Sequence, residues 1–173
     1  VDEVRVLQVA GFKNSGKTTL VRELIAEARL MGLRAAAVKH HGHGGPPEMP
    51  PPDTDSMQFF SGGAVASAVS GGGVVQLHLE TDEDGPGPLI RLAAAAGPDI
   101  VLVEGFKDAD LEKIVIARSA EDWQELKGLK NIVLAVVPGG IRTGTASAEW
   151  GNKEEIRGWF GRWWEGGTGH VRL

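Results

Sequence analysis

Residues Gly11 to Thr18 read GFKNSGKT and match G-x-x-x-x-G-K-[ST] at every fixed position. That spacing suits phosphate binding. Gly11 and Gly16 allow backbone angles that let successive N–H groups converge on one anion, and a helix starting behind the loop adds partial positive charge. Lys17 would reach the β- and γ-phosphates, Thr18 would offer its hydroxyl to Mg²⁺, and Thr19 would bond the α-phosphate. Asn14 and Ser15 complete the loop. Lys13 adds a second cation, directed at phosphate or at water.

A magnesium nucleotide site also needs a carboxylate at the carboxyl end of a neighbouring strand. The run PDIVLVEGFK supplies Glu104 directly after Ile100–Val103, whereas Asp99 opens that strand and belongs at the opposite end. The segment VKHHGH to DTDS places Lys39 and Asp55 where a switch-like stretch could approach a γ-phosphate and its metal. Asp55 is the one residue in the chain suggested as a water-orienting group. His40, His41 and His43 fall within four residues, on a loop without a second ligand group at fixed spacing.

These residues need a scaffold of strands and helices. Valine- and isoleucine-rich runs at 4–9, 34–38, 64–69, 74–79, 100–103, 114–117 and 132–137 predict strands, several of them buried on both faces. Residues 18–31 place Leu20, Val21, Leu24, Ile25 and Ala28 at helical spacing, and Gly32 stands where a C-terminal cap belongs. Residues 88–96 and 120–126 predict further helices. Strands alternating with helices predict an α/β fold of the P-loop NTPase kind, a mostly parallel sheet with helices on both faces. The SGGG between residues 64–69 and 74–79 suits a local antiparallel hairpin.

Residues 40–55 hold five prolines and predict a mobile irregular loop. Residues 138–151 predict a second loop. NKEE at 152–155 echoes the Asn-Lys-x-Asp element that reads guanine, but Asn152 followed by Glu155 fits a helix cap better. The helix it opens carries Ile156, Trp159, Phe160 and Trp163 as a core-packing stripe.

The chain has 173 residues, which suits a single domain over 1–173, and a net charge of -5, which argues against a nucleic-acid face. It has no cysteine, so disulfides and thiolate metal sites are excluded. No signal-peptide pattern or membrane-length apolar run is visible, and the reading is a soluble, cytoplasmic protein.

Taken together, GFKNSGKTTL, VKHHGH, the Asp55-Ser56 pair followed by SGGA, VEGFK at 103–107 and KIVIAR at 113–118 resemble the molybdopterin-guanine dinucleotide biosynthesis protein B family over about residues 4–137. The resemblance implies a GTP-binding adapter, typically a homodimer, with weak intrinsic GTPase activity. Such a protein works beside the molybdopterin guanylyltransferase, with molybdopterin itself a further partner. It implies that residues 11–19 hold the GTP phosphates, that Thr18 and Glu104 serve Mg²⁺, and that Asp55 lies in the metal and γ-phosphate region. Lys107, Lys113 and Arg118 match family positions without an assigned role.

The chain departs from the family pattern in three places. Asp53-Thr54 replaces a Gly-Lys pair, GGPPEMPPP is an unusual insert, and Pro138-Gly139-Gly140 stands where a small or polar residue and then an acidic one would follow the strand. Two other readings stay open at this stage. A small P-loop kinase of a metabolite would need a lid bearing arginines, and residues 40–52 contain none. A metal-insertion GTPase would draw on the loop histidines.

Overall fold

The computed structural model describes residues 3–42, 44–83 and 85–173. His43 lies outside the described residues. The chain divides into two compact units, one of residues 1–40 and 85–173 and the other of residues 41–84.

The first unit contains β1 (Glu3–Gly11), α1 (Lys17–Leu30) and β2 (Ala35–Lys39), and the second contains α2 (Asp55–Ser61), β3 (Ala66–Gly71) and β4 (Val74–Leu79). The chain then returns to the first unit with α3 (Gly87–Ala94), β5 (Ile100–Glu104), β6 (Lys113–Ile116), α4 (Ala120–Leu126) and β7 (Ile132–Val137). It closes with β8 (Ser147–Glu149), α5 (Lys153–Glu165) and β9 (His170–Arg172). Among the described residues, the sheet of the first unit runs β2-β5-β1-β6-β7-β8, all parallel, with β9 antiparallel to the start of β1. From β1 the chain moves one way for β2 and β5 and the other way for β6, β7 and β8. The carboxyl end of β1 is therefore the topological switch point, where ligands of open α/β sheets bind.

Side chains of the buried strands alternate between two helix layers. Leu7 and Val9 pack with Leu20, Val21 and Leu24 of α1 and with Ile156, Phe160 and Trp163 of α5. Val6, Val101 and Val103 face Ile90 of α3, while Ala10, Val115 and Val137 face Trp123 and Leu126 of α4. The stripe expected on the last helix is thus core, with Trp159 partly buried beside it.

Residues 138–151, expected to be a loop, contain β8, which adds to the parallel sheet through Ala135↔Ser147 and Val137↔Glu149. Three residues with one buried alanine carry no readable alternation, and pairing with β7 is what makes them a strand. The hairpin expectation holds. β3 and β4 pair antiparallel across Gly72 and Gly73, both at positive φ, as a two-residue turn between twisted strands requires.

Two buried cations anchor the first unit. Arg5 lies against the rings of Trp163 and Trp164, at 4.4 and 4.2 Å, and donates to the carbonyls of Trp163, Trp164 and Thr168. It thereby adds a charged donor to carbonyls at and just beyond the end of α5, where the helix runs out of N–H groups. Lys113, wholly buried, donates to Ala109 O and Lys130 O at 2.7 Å each and ties the entry of β6 to the entry of β7. Burial pushes the Lys113 ammonium below its ordinary pKa of 10.5, against the opposing pull of Asp110 and Asp108.

Replacing Lys113 with Met removes a charged donor from two part-buried hydrogen bonds, and urea unfolding should show a loss of about 1–3 kcal/mol. The sign of the pH dependence follows from the shift. Between the lowered native pKa and 10.5 the unfolded chain holds the proton that the folded protein has released, so stability due to Lys113 rises with pH through that window. The Lys113→Met variant should lack that slope.

Candidate phosphate and metal site

The loop from Gly11 to Gly16 leaves the end of β1 and turns directly into α1. A Cβ at Gly11 would lie 2.7 Å from the carbonyl oxygen of Ile116 and 2.7 Å from Ser15 Oγ, so only glycine lets the loop pack against the end of β6. Gly16 caps the helix at φ 97, a left-handed conformation that costs a side chain dearly. The first turn of α1 then presents N–H groups with no intrahelical acceptor. Ser15 Oγ is buried and finds no hydrogen-bond partner among the described residues. Lys17 Nζ arches back over the loop to the carbonyls of Gly11 and Phe12, at 3.0 and 2.6 Å. Lys13, Asn14, Thr18 and Thr19 are exposed around the same turn.

Register brings the carboxylate to this loop. Glu104 ends β5 and pairs with Val9 of β1 on one side and Lys39 of β2 on the other, which sets Lys39 beside it on the same face of the sheet. The Thr18 hydroxyl lies 3.0 and 2.9 Å from the two Glu104 oxygens, and Lys39 Nζ lies 2.6 Å from Glu104 Oε1. Glu104 is only 7% exposed, whereas the Lys39 side chain is 60% exposed. Behind the cluster, Gln8 donates from Nε2 to Gly105 O and Phe106 O, both at 2.6 Å, and fixes the turn by which the chain leaves Glu104.

The structure therefore brings together Gly11, Lys17, Thr18 and Glu104, with Lys39 added. Asp99 bonds Arg34 N at 2.7 Å before β5 begins, at the opposite end of the sheet. Asp55 opens α2 in the other compact unit and is exposed. Among the described residues, no group of three or more His, Asp or Glu side chains comes together as a metal cluster. The oxygen donors of Thr18 and Glu104 form a hard set that suits Mg²⁺, which takes one or two protein oxygens and completes its shell with phosphate and water.

Sequence reasoning missed Gln8 and the contact of Arg118 with the loop, where Nη1 donates to Asn14 O at 3.2 Å. A polar residue inside the apolar run VRVLQVAG was the available signal for Gln8. Arg118 carried none beyond its place in KIVIAR.

The sheet order, the loop at the switch point and the carboxylate beside it define a P-loop NTPase fold. Residues 6–138 match the family described as molybdopterin guanine dinucleotide synthesis protein B, and the chain belongs to that family. It is 37% identical over 129 residues to a probable molybdopterin-guanine dinucleotide biosynthesis adapter protein of Bacillus subtilis, covering 75% of this chain and 74% of that protein. It is 30% identical over 146 residues to the molybdopterin-guanine dinucleotide biosynthesis adapter protein of Haemophilus influenzae, covering 78% and 75%. The crystal structure of a MobB protein homolog from Bacillus stearothermophilus superposes with a TM-score of 0.73 at 33% identity, over 93% of this chain and 98% of that one.

Burial pushes Lys17 below its ordinary pKa, the negative charge of Glu104 opposes that shift, and Lys39 reinforces it. The two neighbours should therefore act in opposite directions. In a lysine-labelled sample titrated by NMR, Glu104→Gln should lower the Lys17 pKa further and Lys39→Ala should raise it.

Proposed function

We propose that this protein is a GTP-binding adapter of molybdenum cofactor biosynthesis, assisting the attachment of GMP to molybdopterin beside the guanylyltransferase, with at most slow GTP hydrolysis of its own. The observation that carries the reading is the buried Glu104 carboxylate held by Thr18 at the end of a complete phosphate loop. Adapters of molybdopterin-guanine dinucleotide biosynthesis among its relatives supply the pathway.

In this reading residues 11–19 bind the phosphates, and Thr18 with Glu104 would hold Mg²⁺, which supplies neutralising charge at the β- and γ-phosphates. Lys39 is placed to exchange its carboxylate partner for a phosphate oxygen. Asp55 is the proposed water-orienting and metal-region residue. Hydrolysis is slow because the loop positions phosphates and does little to activate water. Residues 41–84 are read as an insertion within one nucleotide-binding domain over 1–173, in a cytoplasmic protein.

A homodimer also has physical support. β3 and β4 expose Ala66, Ala68, Val75, Leu77 and Leu79 on one face, while Ser67 and His78 on the other pack toward Ser56 and Phe60 of α2. Val75 is 68% exposed. An apolar face of this kind, on a hairpin whose outer edges pair with no further strand among the described residues, suits pairing with a second copy.

Calorimetry with GTP, GDP and Mg²⁺ should detect binding to the parent protein. Lys17→Ala should weaken that binding roughly 10- to 100-fold, as expected for loss of a charge-assisted contact, with thermal unfolding unchanged. Absence of binding by the parent protein would overturn the reading, and hydrolysis unaffected by Asp55→Ala would remove that residue's role. Sedimentation should show a dimer that Leu77→Lys weakens at least about tenfold, since the change sets like charges on an apolar face.

A further inference from the structure

The Thr18–Glu104–Lys39 cluster lies at the ends of β5 and β2, on one side of β1. If the loop holds a nucleotide as proposed, its terminal phosphate faces that cluster. Its nucleoside then extends the other way, over the carboxyl ends of β6, β7 and β8.

Three residues stand there. Arg118, just beyond β6, bonds the loop through Asn14 O, and its guanidinium carbon lies 5.6 Å from the ring centre of Trp150. Trp150 follows β8 and is 49% exposed, so its ring offers a face for stacking. Glu149, the last residue of β8, bends toward the chain leaving β7. A Cβ at Gly139 would lie 3.0 Å from Glu149 Oε1 and 4.0 Å from Oε2, so the carboxylate occupies space that glycine leaves.

The backbone of this pair is pinned. Glu149 N donates to Glu155 Oε2 at 2.8 Å, Trp150 N donates to Val137 O at 2.8 Å, and Asn152 N donates to Glu149 O at 2.9 Å. Asn152 Oδ1 in turn accepts from Glu155 N at 3.2 Å and starts α5. The NKEE stretch thus caps a helix, and by doing so it holds Glu149 and Trp150 at the nucleotide end of the sheet.

We propose that Glu149 reads the nucleobase as guanine, with the Arg118–Trp150 pair as the stacking wall beneath it. The inference rests on the nucleotide reading above. Guanine presents two adjacent donors, N1–H and the 2-amino group, and a carboxylate has two acceptor oxygens and no donor. Adenine presents an acceptor nitrogen on that edge and would meet the carboxylate lone pair to lone pair.

The test is calorimetry with GDP, ADP and xanthosine diphosphate in Mg²⁺, on the parent protein, Glu149→Gln and Trp150→Ala. The parent should prefer GDP. Glu149→Gln should lose roughly 10- to 100-fold for GDP, as expected for a lost bond to a charged group, and leave ADP unchanged. It should also gain xanthosine diphosphate, because a carboxamide accepts from N1–H and donates to the 2-oxo group. That gain is readable even if the variant binds GDP poorly. Trp150→Ala should weaken GDP and ADP alike, by about 5- to 100-fold for one lost stacking platform.

Equal binding of GDP and ADP by the parent leaves the nucleotide reading standing and overturns the assignment of Glu149. So does a parent-like GDP preference in Glu149→Gln without any gain of xanthosine diphosphate. Failure of the parent to bind any of the three overturns the nucleotide reading, and the assignment falls with it.

Discussion

The site depends on the register of three parallel strands. Val9, Glu104 and Lys39 lie in one row across β1, β5 and β2, and that row ends two residues before the phosphate loop begins. Slipping β5 by one residue would turn Glu104 to the opposite helix layer and send Val103 toward Thr18. Register is held by the apolar faces themselves, since Ile100 and Leu102 must meet α1 and α5 while Val101 and Val103 must meet α3. Core packing and site geometry are therefore one constraint.

A carboxylate as buried as Glu104 is costly unless it is matched, and here a hydroxyl and an ammonium match it. The match is unequal in mobility. Thr18 is fixed by the first turn of α1, while Lys39 reaches in from solvent on a long side chain. A partner of that kind gives up its place at little cost when a stronger cation or a phosphate arrives, because its charge is already mostly hydrated. Lys17 differs. Its ammonium is tied to two loop carbonyls, and burial weakens its hold on the proton.

Much of this arrangement was legible in the sequence. The phosphate loop, the helix behind it and Glu104 at a strand end are local patterns, and each could be read without knowing what lies beside it. The core stripes of α1 and α5 were legible for the same reason. β8 was not, because a three-residue strand exists only through its neighbour. Lys113 likewise stood without a role at the head of KIVIAR, although it is wholly buried and donates to Ala109 O and Lys130 O. The sequence also showed that Pro138-Gly139-Gly140 lacks an acidic residue, but only the pairing of β7 with β8 reveals that Glu149 fills the space beside Gly139. What spacing alone cannot carry is contact between segments whose order in the sheet is unknown.

The two ends of the sheet are joined by α5. Its first residue follows Trp150 by three positions, and its last carbonyls are clamped by Arg5 at the opposite end of β1. Thirteen helical residues span about 20 Å, enough to run the length of a strand layer. The helix is thus fixed to β1 at one end through a buried guanidinium between two tryptophans, and at the other it fixes the β8 turn through Asn152 and Glu155. The position of Glu149 and Trp150 is consequently set by residues remote from them, with β1 as the common reference for both the phosphate loop and the turn after β8. A loosened Arg5 clamp would be felt directly at that turn, whereas Thr18 and Glu104 are held by α1 and by a strand register to which α5 contributes one apolar face among several.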